Sequence, residues 1–212
     1  MICPVCGGSS NQYASDKFRP YFECDQCTLV FVPRDAILNP TEELSRYETH
    51  NNDEADERYR QYLSQVVAEI SPFIKAGETA LDFGSGKTDF LSKLLREENL
   101  ESESYDLYFF PNDGIWTKKF DVIVMCEVIE HLRDPLETML KLKSMLKPSG
   151  RFFIKTKFLP ENKDTFKNWY YKNDQTHVEF FNPQSMSKLS ECIGMMKPEF
   201  LGFDLTMVRA FP

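Results

Sequence analysis

The sequence predicts an α/β protein with a largely parallel sheet, preceded by a small cysteine-rich module at the N-terminus. From Thr79 onward, strand-like and helix-like stretches alternate, which is typical of a parallel sheet with helices on both faces. Before that, four of the six cysteines lie in two C-x2-C pairs. We therefore expect one main domain with an appendage.

The composition is that of a folded, acidic protein. The chain has 212 residues, of which 42% are hydrophobic, enough for one well-filled core. Its formal net charge of -8 disfavours a broad contact with nucleic-acid phosphates. No apolar run approaches the length that spans a bilayer, and the N-terminus lacks the pattern of a secretory signal. The sequence thus predicts a cytoplasmic protein without a membrane partner and leaves its oligomeric state open.

Residues 1–32 are predicted to form a zinc ribbon. The pattern C-x2-C-x17-C-x2-C has the spacing of four-thiolate sites that bind Zn²⁺, in which each pair supplies two tetrahedral ligands. The predicted ligands are Cys3, Cys6, Cys24 and Cys27. Two disulfides are the alternative, which a reducing compartment disfavours. Because four protein ligands leave no open position for a substrate, the predicted role of the Zn²⁺ is structural.

Residues 33–74 are predicted to be a linker that ends in a helix, and residues 75–212 to be the main domain. Between Tyr59 and Ile70, apolar residues recur at helical spacing. The apolar run FDVIVM at 120–125 is typical of a strand buried on both faces, so it is expected to lie centrally. The other predicted strands are at 79–83, 104–107, 151–157, 200–203 and 206–211, and the helices at 89–97, 135–147 and 183–193.

The first strand of the main domain ends in a glycine-rich loop with the sequence DFGSG. Glycine lets the backbone pass close to a ligand, because it has no side chain and tolerates positive φ. Asp106 lies 24 residues after Asp82, the first residue of this loop. This is near the spacing at which a carboxylate accepts hydrogen bonds from ribose hydroxyls. The predicted cofactor-binding residues are therefore Asp82, Gly84, Ser85, Gly86 and Asp106.

Two phosphate-binding interpretations of this loop fail on spacing. A phosphate loop needs a glycine five positions before Gly86, where the sequence has Leu81. A nicotinamide-binding loop needs a glycine three positions after Gly86, where the sequence has Asp89. The remaining candidate is a cofactor that has a ribose but no phosphate.

Several segments of the main domain carry a resemblance to one family. They are ALDFGSG, YDLYF, FDVIVMCEVIEHLRDP, LKPSGRFFIKT and NDQTHVEFFNPQSMSKL. Together they resemble the class I S-adenosylmethionine-dependent methyltransferases, specifically small bacterial ones with an N-terminal four-cysteine zinc ribbon. The resemblance implies a Rossmann-like sheet and S-adenosylmethionine as the cofactor. It also implies that Cys126 and Glu127, which follow the buried strand, lie beside that cofactor.

Two positions depart from the family pattern. Thr88 stands where the third glycine of the loop usually lies. Only 13 residues separate Asp106 from Phe120, too few for the helix and strand that the family has there, so the sheet is predicted to be trimmed between its second and fourth strands. The acidic residue usually found near the adenine then has no clear counterpart. The candidates for that place are Asn112, Asp113 and Trp116.

Glu127, His131 and His177 are the predicted catalytic residues. Methyl transfer from a sulfonium needs aligned reactants, and it needs a base only if the acceptor carries a proton. His177 lies in an aromatic, polar stretch where the family builds a lid over the acceptor site. The alternatives are that Glu130 and His131 make ordinary capping contacts at a helix start and that His177 is a hydrogen-bonded structural residue.

The tyrosines of that stretch, Tyr170 and Tyr171, belong either to the lid or to packing over the sheet. A segment with Tyr47, His50 and Asn51 is expected to close over the cofactor from the N-terminal side.

The sequence thus predicts a methyltransferase that acts on a small-molecule acceptor. One alternative is a noncatalytic zinc-ribbon binding or scaffold protein with a degenerate cofactor domain. Another is a nucleic-acid methyltransferase, which the acidic composition disfavours. The identity of the acceptor is not encoded in any motif of the chain.

Overall fold

The computed structural model describes residues 1–49 and 53–212. The strands are β1 (Ser10–Ser15), β2 (Pro20–Cys24), β3 (Val30–Phe31), β4 (Thr79–Phe83), β5 (Glu101–Tyr105), β6 (Phe120–Cys126), β7 (Leu146–Lys155), β8 (Glu179–Phe180), β9 (Glu199–Leu201) and β10 (Leu205–Arg209). The helices are α1 (Pro40–Glu48), α2 (Glu57–Ile70), α3 (Phe90–Glu97), α4 (Pro135–Ser144), α5 (Lys163–Asn168) and α6 (Pro183–Cys192).

The larger sheet has the strand order β5-β4-β6-β7-β10-β9. Strands β5, β4, β6 and β7 run parallel, and β10 is antiparallel to both β7 and β9. Among the described residues, the link from β5 to β6 contains no further strand and holds one turn of 3-10 helix at Asp113–Thr117. This mixed α/β sheet confirms the predicted fold class, including the shortened connection.

Helices cover the larger sheet on both faces. On one face, α2 and α3 bury Leu63, Val67 and Leu95 against the sheet. On the other face, α4 and α6 contribute Met139 and Leu189 to a second core, which also contains the cysteines of the N-terminal module. Each of these four helices buries apolar residues on one face, so the two cores follow from the pattern of the sequence.

The smaller sheet is antiparallel and has the strand order β1-β2-β3-β8. Its last strand comes from the far end of the chain, beyond the predicted ribbon. Tyr21, Phe166 and Phe180 meet edge to face over this sheet. The cysteine-rich module is therefore packed directly on the main domain.

Three predicted boundaries differ from the structure by three residues or more. Strand β5 begins at Glu101 and ends at Tyr105, whereas the prediction was 104–107. Helix α4 ends at Ser144, and β7 begins at Leu146, ahead of the expected start at 151. The reason is an irregularity in the pairing of β6 with β7, which lets the segment before residue 151 follow the strand, with Ser149 at φ 60°.

Candidate active site

The glycine-rich loop connects β4 to α3 at the carboxyl end of the parallel strands. Gly84 and Gly86 have φ values of 78° and 67°, in the left-handed region that favours glycine. A Cβ placed on Gly84 would lie 2.6 Å from Cγ2 of Val128. The amides of Gly84 and Ser85 donate to the carbonyl of Tyr105 at the end of β5. The structure therefore requires glycine at 84 both for its backbone angle and for its contact with the neighbouring loop.

Asp82 lies at the base of this loop with its carboxylate in the interior. Only 2% of the residue is exposed, and its Oδ2 has no hydrogen-bond partner among the described residues. Burial, with a smaller contribution from the charge of Asp106, raises the pKa of Asp82 to about 8. An unpartnered buried carboxylate oxygen is costly, so this side chain is suited to receive a cationic or hydrogen-donating ligand group.

Asp106 lies beside the loop, as the spacing predicts. Its Oδ2 accepts a hydrogen bond from the amide of Gly86 at 2.9 Å. Its Oδ1 accepts from the amides of Tyr108 and Phe109 at 2.9 and 3.0 Å. The carboxylate thus joins the loop to the turn that follows β5.

Two cavities open at this edge of the sheet. The smaller has a volume of about 270 Å³, and Asp82, Gly84 and Ser85 contribute to its walls. The larger has a volume of about 880 Å³ and is lined by Gly86 and Asp106, among others. Gly84, Glu127 and His131 line both cavities. The larger volume lies within the range of small-molecule sites.

Aromatic side chains form one wall of the larger cavity. The rings of Phe83 and Tyr105 are stacked with centroids 5.4 Å apart, and Trp116 meets Tyr105 edge-on at 5.1 Å. Of the three candidates for the adenine side, Trp116 alone lines this cavity among the described residues. Asn112 and Asp113 lie on the exposed turn before it, where the Asn112 side chain accepts from the amide of Gly114.

Ser85 and Cys126 both lie at the smaller cavity. The hydroxyl of Ser85 is buried without a partner among the described residues. The Sγ of Cys126 lies 3.8 Å from the hydroxyl of Tyr62, and burial raises the pKa of this thiol well above its usual value. Cys126 is therefore a neutral thiol that shapes the cavity rather than a nucleophile.

Glu127 directly follows β6 and is held by two tyrosines. Its Oε1 accepts from the hydroxyl of Tyr62 at 2.7 Å, and its Oε2 accepts from the hydroxyl of Tyr171 at 2.8 Å. Its backbone has a φ of 54°, unusual for a residue other than glycine. This strained conformation turns the carboxylate towards both cavities, where a functional residue is expected.

Glu130 has an environment that no pattern in the sequence predicts. It lies in a turn of 3-10 helix at Ile129–His131 and is fully buried. Its Oε1 lies 2.5 Å from the hydroxyl of Tyr171, and its Oε2 has no partner among the described residues. Burial and the nearby charge of Glu127 raise its pKa to about 8. The expectation of an ordinary capping contact is wrong for this side chain.

His131 and His177 come together although 46 residues separate them. Their rings lie 4.6 Å apart at an angle of 75°. The Nδ1 of His131 donates to the carbonyl of Thr176, and the Nδ1 of His177 donates to the carbonyl of Tyr171. Both histidines line the smaller cavity. The structure thus gathers all three predicted catalytic residues at one place.

The predicted lid and the predicted closing segment each contact one of the two histidines. Tyr171 is buried, with its ring 4.1 Å from that of His177, whereas Tyr170 is exposed. Tyr47 in α1 lines the larger cavity, and its ring lies 5.3 Å from that of His131. The other two residues expected in the closing segment, His50 and Asn51, lie outside the described residues.

The four N-terminal cysteines also form a cluster. Their Sγ atoms lie 3.6 Å apart for Cys3 and Cys27, 3.5 Å for Cys6 and Cys24, and 3.6 Å for Cys6 and Cys27. A tetrahedral Zn²⁺ with bonds of about 2.3 Å places its sulfurs about 3.8 Å apart, whereas a disulfide bond is about 2.05 Å long. The donor set and spacing therefore fit a Zn²⁺ ion.

The two cysteine pairs have matching backbone turns. In each pair, the residue after the second cysteine has a positive φ, 71° at Gly7 and 58° at Thr28. The amide of that residue donates to the carbonyl of the first cysteine of its pair. Asn182, at the start of α6, donates through its side-chain amide to the Thr28 carbonyl. The main domain thus supports the second turn directly.

Comparison with known families agrees with this arrangement. A family model described as a methyltransferase domain matches residues 55–195. The chain belongs to this methyltransferase family. The match confirms the family that the motifs predict, and it begins beyond the four cysteines, so the zinc ribbon stays a prediction.

Parts of the methyltransferase are also similar to curated proteins. It is 38% identical over 56 residues to the ubiquinone biosynthesis O-methyltransferase of Histophilus somni, covering 26% of this chain and 21% of that protein. It is 25% identical over 134 residues to an uncharacterized methyltransferase of Schizosaccharomyces pombe, covering 58% of this chain and 46% of that protein. The matched segments therefore span less than half the length of these relatives.

Solved structures share the fold of the methyltransferase. One is the 1,6-didemethyltoxoflavin-N1-methyltransferase of Burkholderia thailandensis with bound 1,6-didemethyltoxoflavin and S-adenosylhomocysteine, at a TM-score of 0.57, 15% identity and coverage of 95% of this chain and 100% of that chain. Another is an O-methyltransferase family protein of Burkholderia thailandensis, at a TM-score of 0.54, 13% identity and coverage of 80% and 62%. Among its described helices, the methyltransferase has none that is long and apolar enough to cross a membrane.

Proposed function

We propose that the chain transfers a methyl group from S-adenosylmethionine to a small-molecule acceptor. The observation that carries this proposal is the pair of cavities at the glycine-rich loop, which share Gly84, Glu127 and His131. The smaller cavity contains the buried carboxylate of Asp82, and the larger is bordered by Asp106 and an aromatic wall. The amino-acid end of S-adenosylmethionine, which carries an ammonium group, matches the smaller cavity. Its nucleoside end matches the larger cavity.

The residues present fit this cofactor. Asp82 would accept hydrogen bonds from the ammonium group, and its unpartnered Oδ2 supports that role. Asp106 would bind the ribose hydroxyls, and Trp116 would border the adenine. When bound, S-adenosylmethionine supplies an electrophilic methyl group on a sulfonium. The glycine at 84 lets the backbone approach the ligand closely.

The acceptor would bind where the two cavities meet. Glu127 and His131 line both cavities there, and His177 lines the smaller one. Their carboxylate and imidazoles would orient an acceptor hydroxyl or amine and take its proton. Methyltransferases of small molecules, the toxoflavin precursor among them, share this fold, and the net charge of -8 disfavours nucleic acid as the acceptor.

The N-terminal cysteines would hold a structural Zn²⁺. With all four thiolates around one tetrahedral ion, no coordination position would stay open, so the ion would stabilise the first 32 residues rather than take part in the reaction. A cytoplasmic location, which is the prediction from the sequence, would keep these thiols reduced. The division into a ribbon, a linker at 33–74 and a methyltransferase domain at 75–212 also remains part of this proposal.

Calorimetry with S-adenosylhomocysteine tests the cofactor assignment. We expect saturable binding to the wild type and at least tenfold weaker binding to Asp106→Ala, because the carboxylate would lose its contact with the ribose. The matched control is Asp113→Ala, an exposed aspartate outside both cavities, which is expected to bind as the wild type does. Absence of binding to the wild type would overturn the proposal.

Turnover is tested with methyl-labelled S-adenosylmethionine and a panel of small phenols, catechols and heterocyclic amines. We expect label in at least one acceptor and the loss of most of that rate in His131→Ala. Binding of the cofactor without transfer to any small molecule, but with transfer to protein or RNA of a cell extract, would contradict the small-molecule assignment.

A further inference from the structure

We propose that Glu130, His131 and His177 bind a divalent cation beside the cofactor cavities. One ligand atom from each of these three residues lies within 4.8 Å of the others. A metal ion with bonds of about 2.0–2.2 Å holds neighbouring ligand atoms about 3–4 Å apart. Small side-chain rotations therefore suffice to close the three groups around one ion.

The orientation of the two histidines suits metal binding. Each donates its Nδ1 proton to a backbone carbonyl, of Thr176 for His131 and of Tyr171 for His177. This tautomer carries a lone pair on Nε2. Histidines that bind metals usually donate their other ring nitrogen in this way, because the hydrogen bond fixes the tautomer and the ring orientation.

The carboxylates of Glu127 and Glu130 supply a second, independent observation. Oε2 of Glu130 is buried and has no hydrogen-bond partner among the described residues. The hydroxyl of Tyr171 has a single proton, yet it lies 2.5 Å from an oxygen of Glu130 and 2.8 Å from an oxygen of Glu127. No lysine or arginine in the described part of the chain forms an ion pair with either glutamate. A cation at this place would supply the missing positive charge.

The proposed metal would face the cavities. His131 and His177 line the smaller cavity, and His131 also borders the larger one. Three protein ligands leave coordination positions open, as in catalytic rather than structural metal sites. An acceptor oxygen would occupy such a position. With the ion bound, both imidazoles act as ligands, so Glu127 is the group left to take the acceptor's proton. This catalytic role rests on the proposed methyl transfer, whereas metal binding itself does not.

The donor set separates this ion from the one at the cysteines. Two imidazoles and a carboxylate suit Mn²⁺, Fe²⁺ and Zn²⁺, whereas four thiolates favour Zn²⁺ strongly over Mn²⁺. Mn²⁺ is therefore the probe of choice, because it reports on the nitrogen and oxygen site while the purified protein keeps its Zn²⁺.

The test is a titration of the full chain with MnCl₂, in which electron paramagnetic resonance measures the concentration of unbound Mn²⁺. We expect one Mn²⁺ per chain in the wild type and binding weakened by more than about tenfold in His177→Ala and in Glu130→Gln. The control Glu161→Gln removes an exposed carboxylate and should bind as the wild type does. No stoichiometric Mn²⁺ in the wild type, or full binding by both site variants, would overturn the proposal.

A second measurement on the wild type remains decisive if the site variants do not fold. Pulsed electron paramagnetic resonance of the bound Mn²⁺ is expected to detect coupling to imidazole nitrogen, and its absence would refute the site. Calorimetry with S-adenosylhomocysteine on the same preparation shows separately whether the cofactor binds. Metal binding without cofactor binding would leave this inference standing and overturn the proposed function.

Discussion

Gly84→Ala is the substitution whose cost the structure defines most sharply. Gly84 has a φ of 78°, and an added Cβ would lie 2.6 and 2.8 Å from the two Cγ atoms of Val128. Val128 directly follows Glu127 and is itself buried, so it cannot move away without disturbing the candidate active site. The substitution therefore combines backbone strain with a steric overlap.

The magnitude follows from these two contributions. A left-handed backbone costs an alanine about 1–2 kcal/mol. Overpacking of a filled site costs about 1–3 kcal/mol. We expect Gly84→Ala to lower the free energy of unfolding by about 2–5 kcal/mol. It should also weaken the binding of S-adenosylhomocysteine, because the loop shifts.

Urea denaturation, monitored by circular dichroism, measures the loss in the free energy of unfolding. An unchanged m-value checks that unfolding stays two-state. Gly202→Ala is the matched control, because Gly202 has a φ of 73° and nothing within 4 Å of an added Cβ. It should show the backbone cost alone. Adding Val128→Ala to Gly84→Ala should recover part of the difference. Equal losses at the two glycines would refute the steric argument.

Three further predictions concern the cysteines, the shared tyrosine and the buried aspartate. Cys27→Ser is expected to abolish the Zn²⁺ found by elemental analysis, whereas Cys192→Ser, outside the cluster, should retain one Zn²⁺ per chain. Tyr171→Phe removes the hydroxyl that contacts both Glu127 and Glu130 and should cost about 1–3 kcal/mol in urea denaturation, while Tyr170→Phe, at an exposed ring, should cost almost nothing. Folding raises the pKa of Asp82 from 3.8 to about 8, so between these values Asp82 holds a proton in the folded state that it has lost in the unfolded chain. The free energy of unfolding should therefore decrease as the pH rises from about 4 to 8. In Asp82→Asn, the free energy of unfolding, measured by urea denaturation, should decrease less over that pH range. The same decrease as in the wild type would contradict the raised pKa of Asp82.

Much of the fold could be predicted because the apolar pattern is strong. The run at β6 is apolar at nearly every position, which indicates a strand covered on both faces, and the spacing in α2 marks a single buried stripe. The start of β7 could not be predicted. Lys147 to Gly150 carries the turn residues that usually end a helix, yet pairing with β6 draws this segment into the sheet. Tertiary pairing here overrides the local preference.

The candidate site was predictable where a motif has a fixed spacing. The glycine-rich loop, Asp106 and the four cysteines belong to this class. For Glu130 the sequence offers only a possible capping contact, because a buried carboxylate has no local sequence pattern, although Glu130 lies three residues after Glu127. Tyr62 gave no signal beyond helix periodicity, since its contact with Glu127 depends on how α2 packs on the sheet.

The extension of the small sheet was also beyond sequence reasoning. Strand β8 has only two residues, and it pairs with β3 across nearly 150 positions of the chain. Such a contact carries no periodicity of its own. It nevertheless places His177, two residues before β8, next to His131, so the N-terminal module helps to position the candidate active site.

The most direct test of the central claim is a fluorescence titration of Trp169→Phe with S-adenosylhomocysteine. This variant leaves Trp116, which lines the larger cavity, as the single tryptophan of the chain. We predict a saturable change in emission at the concentrations at which calorimetry detects binding, because the nucleoside would lie against this wall. Binding by calorimetry without any change in Trp116 emission would contradict the assignment of the cavity to the cofactor.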